Sequence, residues 1–332
     1  MMRCAVIGAG AWGTALADLL AASGHDVRIW AFESDVASSI NSAHENPRFL
    51  AGARLTPTLL ATNDQAVALE QAAVVVYATP SNHLRAIARA GAPCVRRDAI
   101  MAVATKGIEL GTLALMTDVV AGEIPGREVV ALSGPSFAAE VVARQPTAIV
   151  AASTSDAAAV SVQEAMSTTV FRIYTHDDVV GVELGGALKN VMAVATGILE
   201  GVGLGFNSRA ALITRGLAEM TRLGASLGAQ PATFAGLAGI GDLVLTCTGS
   251  LSRNRALGVE IGRGRTLDEA RAGKETVAEG VLTTASAVEL AARQGVEMPI
   301  AEMVYRILFD GYSARRAAQE LMGRELRPEQ DT

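Results

Sequence analysis

Aromatic side chains make up only 4% of this 332-residue chain, and cysteine occurs three times. With so few rings, a hydrophobic content of 50% has to come from Ala, Val, Leu and Ile. That composition suits close-packed helices and buried parallel strands. Cys4, Cys94 and Cys247 show no C-x-x-C spacing, and His25, His44, His83 and His176 do not cluster. Reduced thiols and no structural metal are expected. Positive charge is not in excess either, with 28 Lys and Arg against 34 Asp and Glu and a net charge of −6. Nothing electrostatic therefore argues for nucleic acid or an anionic membrane surface as the main partner. No run of about 18 apolar residues occurs, and the apolar stretch Cys4 to Ile7 is too short for a signal peptide. A cytoplasmic protein without an integral membrane segment is expected. No internal repeat is present, and no low-complexity segment beyond richness in alanine.

What is present divides the chain in two, as its length suggests at roughly 100 to 200 residues per domain. Short β-branched runs alternate with amphipathic stretches in the first half, the pattern of βαβ units and a parallel sheet. The expected strands are Cys4–Ile7, Val27–Trp30, Val74–Ala78, Ile100–Ala104, Val129–Leu132, Ala148–Ala151 and Val170–Tyr174, with helices such as Thr14–Ala22 and Ala157–Met166 between them. A right-handed, doubly wound sheet follows. After Tyr174 the period of 3.6 takes over. Leu184, Leu188, Val191, Ala195 and Ile198 stand at offsets 0, 4, 7, 11 and 14, one apolar stripe on a helix spanning Val182–Ile198. Further helices are expected at Ile213–Leu227, Ala256–Gly262, Thr283–Gln294 and Ala301–Leu308. The predicted organisation is a Rossmann-type parallel-sheet domain over residues 1–180, an all-α domain over 181–326 and a polar tail over 327–332.

Gly8-Ala9-Gly10-Ala11-Trp12-Gly13 follows the first strand and opens a helix, which is G-x-G-x-x-G in its proper setting. Gly8, Gly10 and Gly13 permit a tight turn, close approach of backbone to a pyrophosphate and close helix-to-strand packing. The helix start offers N–H groups and positive dipole to phosphate. After the second strand comes Trp30-Ala31-Phe32-Glu33, with no Lys or Arg before Arg48. An acid there would bond a ribose 2′-hydroxyl and lean towards NAD, although a solvated loop acid fits Glu33 equally well.

Three loops fall where such a sheet binds ligands, past the strands' C-terminal ends: Ala78–Ser81, Thr105–Gly107 and Ser133–Phe137. Lys106 is their one cation. Lys189, midway along the apolar helix, reads either as an acid or base near a low-dielectric site or as a snorkelling surface lysine. Gly239-Ile240-Gly241-Asp242-Leu243 and Thr248–Arg255 form the densest polar cluster of the second half. Ser252 suits an N-cap there, with Arg253 and Asn254 in the first turn, where N–H groups, dipole and guanidinium converge on an anion. The Glu275–Gly280 loop has no composition that can be interpreted by itself.

Taken together, Gly8–Ala17, Ala104–Gly107, Ser133–Ala138, Gly185–Val191, Ala211–Met220, Gly239–Leu243, Ser252–Asn254 and Val277–Gly280 closely resemble the bacterial NAD(P)-dependent sn-glycerol-3-phosphate dehydrogenase family, in order and along nearly the whole chain. The resemblance implies hydride transfer between glycerol 3-phosphate and dihydroxyacetone phosphate, with Lys189 giving or taking the proton at the C2 oxygen and the product feeding glycerophospholipid synthesis. It implies substrate contacts from Lys106, Gly134, Ser136, Lys189, Asp242, Ser252, Arg253 and Asn254. Contacts to NAD or NADP are implied for Ala11, Trp12, Phe32, Lys106, Ala138, Arg253, Val277 and Glu279, and a homodimer is suggested. Phe32 stands where many members carry His or Arg, so NADH use at least comparable to NADPH is expected. Ala51 replaces a proline common after Arg48-Phe49-Leu50, a difference to which no functional consequence is assigned. A hydroxyacid or ketopantoate-type dehydrogenase shares this layout, but a carboxylate substrate does not need the anion contacts of Ser252–Asn254. A nucleotide sensor without turnover would show no loss of absorbance at 340 nm.

Overall fold

The β-branched runs of the first half form central strands that are buried on both sides. Val74–Tyr77, for one, is buried at all four positions, whereas the outer strand Phe171–His176 alternates buried and exposed residues. The computed structural model describes residues 1–273, 278–326 and 328–329. All seven expected strands are there, joined by a short eighth, Leu60–Thr62. From one edge the sheet runs Phe171–His176, Thr147–Ala152, Val129–Ser133, Ile100–Val103, Val74–Tyr77, Arg3–Ile7, Asp26–Trp30, Leu60–Thr62. Arg3–Ile7 therefore lies between the second strand and Val74–Tyr77. That change of winding direction opens a crevice at the strands' C-terminal ends, between the Gly8 and Ala78 loops.

The sheet is not parallel throughout. Val129–Ser133 and Thr147–Ala152 pair antiparallel, and Phe171–His176 runs with the latter. The reason is length: the connection holds only the five-residue helix Ala138–Val142. Such a helix spans about 7 Å, against the roughly 17 Å needed to climb back along a five-residue strand. The chain turns instead, through Arg144 in the left-handed region at φ 59°.

Met1–Lys106 and Leu115–Val179 form one compact unit. Gly107–Ala114 and the chain from Val180 onward form the other. The second unit is helical and built around Val179–Val202, in which every residue from Gly181 to Ile198 is buried. By length and composition this helix could cross a membrane, as could the run Pro231–Thr248, but 89% of its apolar window is buried inside the protein, with Glu183 and Lys189 along it. It is a core helix. Glu219 of Phe206–Ser226 is 2% exposed and accepts the amides of Ile300 and Ala301 at 2.7 and 3.3 Å, which satisfies the start of the helix Pro299–Phe309.

Glycine sets how closely Arg253–Gly262 packs on this core helix. A Cβ on Gly197 would stand 2.1 Å from the Arg255 carbonyl oxygen, and one on Gly258 would stand 2.2 Å from that of Val194. Gly201 and Gly262, one turn on in each helix, are held in the same way against Val259 and Ile198. Backbone meets backbone along two turns. Ala in place of Gly gains about 1 kcal/mol of helix propensity, but overpacking costs about 1 to 3 kcal/mol, and an obstacle of main chain that cannot rotate away puts these sites in the upper part of that range. Gly197→Ala and Gly258→Ala should each lower unfolding free energy by about 1 kcal/mol or more in urea titrations. Unchanged or raised stability would show that the two helices separate freely.

Candidate active site

Each unit carries its own polar constellation, and local backbone constraints place both. In the first, Gly8 turns the chain at φ 113°, where a Cβ would lie 2.8 Å from the Ala78 carbonyl oxygen. A Cβ on Gly13 would lie 1.9 Å from the Gly8 carbonyl oxygen, while Gly10 faces open space with nothing within 4 Å. The three glycines thus divide the work into turn, approach and packing. Helix Ala11–Ala22 starts at once, with Gly10 as N-cap, no side-chain cap and no acid in its first turn. Its leading N–H groups have no intrahelical acceptor, and its positive dipole end meets no counter-charge from that turn. The ring N–H of Trp12 is buried and has no acceptor among the described residues. An anion in a cradle that a Cβ would fill, beside an orphaned donor, is what a dinucleotide pyrophosphate supplies; the residues fit the cofactor.

Lys106, Gly134 and Ser136 come together on one carbonyl. Lys106 Nζ donates to the Gly134 oxygen at 3.3 Å, and Ser136 Oγ donates to the same oxygen at 3.0 Å. Gly134 is glycine by necessity: its φ is 142°, and a Cβ would strike the Ile149 Cα at 2.8 Å. Thr105 Oγ1, bonded to the Thr79 carbonyl at 2.8 Å, anchors the turn that projects Lys106. Ala138 opens the helix Ala138–Val142 just beyond. Phe32 stands apart, 80% exposed, its ring edge-on to Trp30 at 6.3 Å. Glu33 caps helix Ser34–Ala43 through its backbone only. Arg48 is paired with Asp35 in the first turn of that helix at 3.8 Å.

In the second unit Lys189 is not a snorkelling lysine. It is 8% exposed, and its Nζ donates to Asp242 Oδ1 at 2.6 Å and Thr246 Oγ1 at 2.9 Å. Thr246 Oγ1 also bonds Asp242 Oδ1 at 3.2 Å, closing a triangle. The Gly239-Ile240-Gly241-Asp242 segment explains this placement. Gly185 lets the Ala238 carbonyl oxygen approach to 2.3 Å of where its Cβ would be, and Gly239 kinks the turn Leu237–Gly241 at φ −95°, ψ −105°. Helix Asp242–Thr248 then begins, with Asp242 and Thr246 one turn apart on one face. Thr246 was absent from the sequence-derived site, yet its i+4 spacing from Asp242 was a usable signal. Beside this triangle, burial pushes the Cys247 thiol up to about 12 against the opposing pull of Lys189, so it remains a thiol at neutral pH.

Ser252 is the N-cap of Arg253–Gly262, its Oγ accepting the Arg255 amide at 3.2 Å. Arg253 is exposed and the first turn has no acid, an arrangement suited to an anion. Asn254 faces inward, its Nδ2 donating to Asn190 Oδ1 at 2.9 Å and its Oδ1 accepting the Gly280 amide at 3.0 Å. Asn190, the neighbour of Lys189, was likewise not expected, since a bond spanning 64 residues leaves no local signature. Glu279, half-buried, opens helix Glu279–Gln294. Val277 lies outside the described residues.

Residues 3–159 match the model of the NAD-dependent glycerol-3-phosphate dehydrogenase N-terminus, and residues 178–319 match that of its C-terminus. Glycerol-3-phosphate dehydrogenase [NAD(P)+] of Citrifermentans bemidjiense is 53% identical over 330 residues, covering 98% of each chain. The Myxococcus xanthus protein of the same name is 48% identical over 331 residues, covering 99% of each. The crystal structure of glycerol-3-phosphate dehydrogenase from Coxiella burnetii superposes with a TM-score of 0.94 at 40% identity, covering 97% of this chain and 99% of that one. The chain belongs to the NAD-dependent glycerol-3-phosphate dehydrogenase family.

Proposed function

We propose that Lys189 is the acid and base of the family's reaction, the NAD(P)-linked interconversion of sn-glycerol 3-phosphate and dihydroxyacetone phosphate. The observation that carries this reading is the buried ammonium of Lys189, held by Asp242 at 2.6 Å and Thr246 at 2.9 Å. Bound NADH or NADPH supplies the hydride. As the C2 carbonyl becomes an alkoxide, Lys189 Nζ gives it a proton, and Asp242 and Thr246 keep Nζ aimed until then. In the oxidative direction the amine takes the proton back. Lys106, fixed on the Gly134 carbonyl, lends positive charge to the developing oxyanion. Gly8, Gly10, Ala11, Trp12 and Gly13 hold the pyrophosphate, with Phe32, Ala138 and Glu279 contacting the rest of the nucleotide. Ser136, Ser252, Arg253 and Asn254 hold the phosphorylated substrate.

The reading extends to a homodimeric cytoplasmic enzyme that supplies the glycerophosphate unit of phospholipids. Its three unpaired thiols, Cys4, Cys94 and Cys247, suit a reducing compartment.

Cofactor choice follows from Phe32 and Glu33 at the end of the second strand, with Arg48 already paired to Asp35. Mixed with dihydroxyacetone phosphate, the protein should oxidise NADH at least as well as NADPH, read at 340 nm with the two in parallel. Phe32→Arg should shift the preference towards NADPH. A preference of about tenfold or more for NADPH in the unaltered protein would show that another cation reaches the 2′-phosphate. No turnover with either would mark a nucleotide sensor.

Arg253 should contribute a charge-assisted hydrogen bond to the substrate phosphate, worth about 1.5 to 3 kcal/mol. Arg253→Ala should therefore raise KM for dihydroxyacetone phosphate roughly ten- to a hundredfold, at about 1.4 kcal/mol per decade. The slow turnover of unphosphorylated dihydroxyacetone should fall little further. Equal damage to both substrates would instead make Arg253 a support for the cofactor or the helix.

A further inference from the structure

Asn46 has no part in the site described above, yet it is 0% exposed and its amide Nδ2 is turned on that site's glycine loop and the helix that follows it. It lies on a small hairpin, Glu45–Asn46 with Leu50–Arg54, outside the main sheet. Its Nδ2 donates to the Ala9 carbonyl oxygen and to Thr14 Oγ1, both at 2.8 Å. Its Oδ1 accepts the Phe49 amide at 3.2 Å. Thr14 Oγ1 in turn donates to the Ala9 oxygen at 3.2 Å, so this one carbonyl is gripped by two donors. A buried amide is costly unless bonded, and this one is bonded at both ends.

The consequence follows from the planarity of the peptide. No cis bond occurs among the described residues, and in a trans peptide the carbonyl and the next N–H point in opposite directions. Drawing the Ala9 oxygen towards Asn46 and Thr14 turns the Gly10 N–H the opposite way, away from them. Gly10 alone would not keep that orientation, because glycine tolerates the flipped peptide as readily as the native one. A flipped peptide would offer phosphate an oxygen in place of a donor. The hairpin is shaped to prevent the flip: His44 adopts the left-handed region at φ 55°, and the strand register shifts between Glu45 and Asn46. Such irregularities re-aim a side chain and persist where the surroundings over-determine them.

We infer that Asn46 is a positioning residue for the dinucleotide, bracketing the Ala9 carbonyl so that the Gly10 N–H faces the pyrophosphate. The inference rests on the dinucleotide reading of the glycine loop. Asn46→Asp tests it, since it keeps the shape and the acceptor for Phe49 but sets an acceptor against the Ala9 oxygen. NADH affinity, followed by its fluorescence, should weaken about tenfold or more. Turnover at saturating NADH and KM for dihydroxyacetone phosphate should stay within about twofold, a split that loss of packing alone would not produce. Should Asn46→Asp not fold, Thr14→Val removes one of the two donors while keeping the helix side-chain shape, and a severalfold loss of NADH affinity is expected. NADH affinity unchanged in the folded variants, whatever their melting temperature, would overturn the inference and leave the dinucleotide reading standing. A wild-type protein that did not bind NADH would overturn both.

Discussion

A lysine ammonium buried in the middle of an apolar helix is a liability of several kcal/mol unless a counter-charge meets it with good geometry. Much of the helical unit serves to meet that demand at Lys189. Gly185 and Gly239 let one turn of chain lie against the core helix closely enough for Asp242 to reach Nζ at 2.6 Å. Thr246, one helical turn on, completes the triangle. The stack of Gly197, Gly201, Gly258 and Gly262 fixes the helix that begins at Ser252, and the Asn254–Asn190 bond ties that helix start to the residue beside Lys189. Lys189 and the helix start at Ser252 thereby share one packed frame. A positioned proton donor is worth far more than a mobile one.

The sheet unit works with backbone rather than buried charge. In its glycine turn two glycines allow contacts that no Cβ would permit and a third leaves open space where a Cβ would stand. Lys106 and Ser136 both rest on the carbonyl of Gly134, whose own conformation excludes any other residue. Lys106, Gly134 and Ser136 lie past the C-terminal ends of the neighbouring strands Ile100–Val103 and Val129–Ser133.

How much of this was legible in the sequence depended on the range of the forces concerned. Apolar runs and the 3.6-residue stripe identified seven strands and the long helices, because burial acts on every residue of an element. Leu60–Thr62 escaped, since three edge residues carry no period. The antiparallel return after Val129–Ser133 depended on a helix too short to cross back, and the length of that helix is set by tertiary packing. Gly107–Ala114 reads as a loop within the first domain but clusters with the second unit, a matter of long-range contact alone. In the site, the glycine turn, the Ser252 cap and both lysines were visible as local patterns. The burial of Lys189 all round was not, because one apolar stripe shows that a helix is buried on one side and leaves a snorkelling lysine open on the other. Asn190 and Asn46 act through bonds across 64 and 37 residues, for which a single sequence offers no signal.

The central claim is that Lys189 moves the proton while other residues bind the ligands. Its most direct test is a single-turnover measurement of NADH oxidation by Lys189→Met at saturating dihydroxyacetone phosphate, with NADH affinity determined on the same preparation. A fall in rate of about 10² to 10⁴, the usual worth of a positioned acid, with NADH affinity within a few-fold of the unaltered protein is the predicted result. A rate within tenfold of the unaltered protein, or a loss of NADH affinity that matched the loss of rate, would contradict it and make the buried lysine a structural cation.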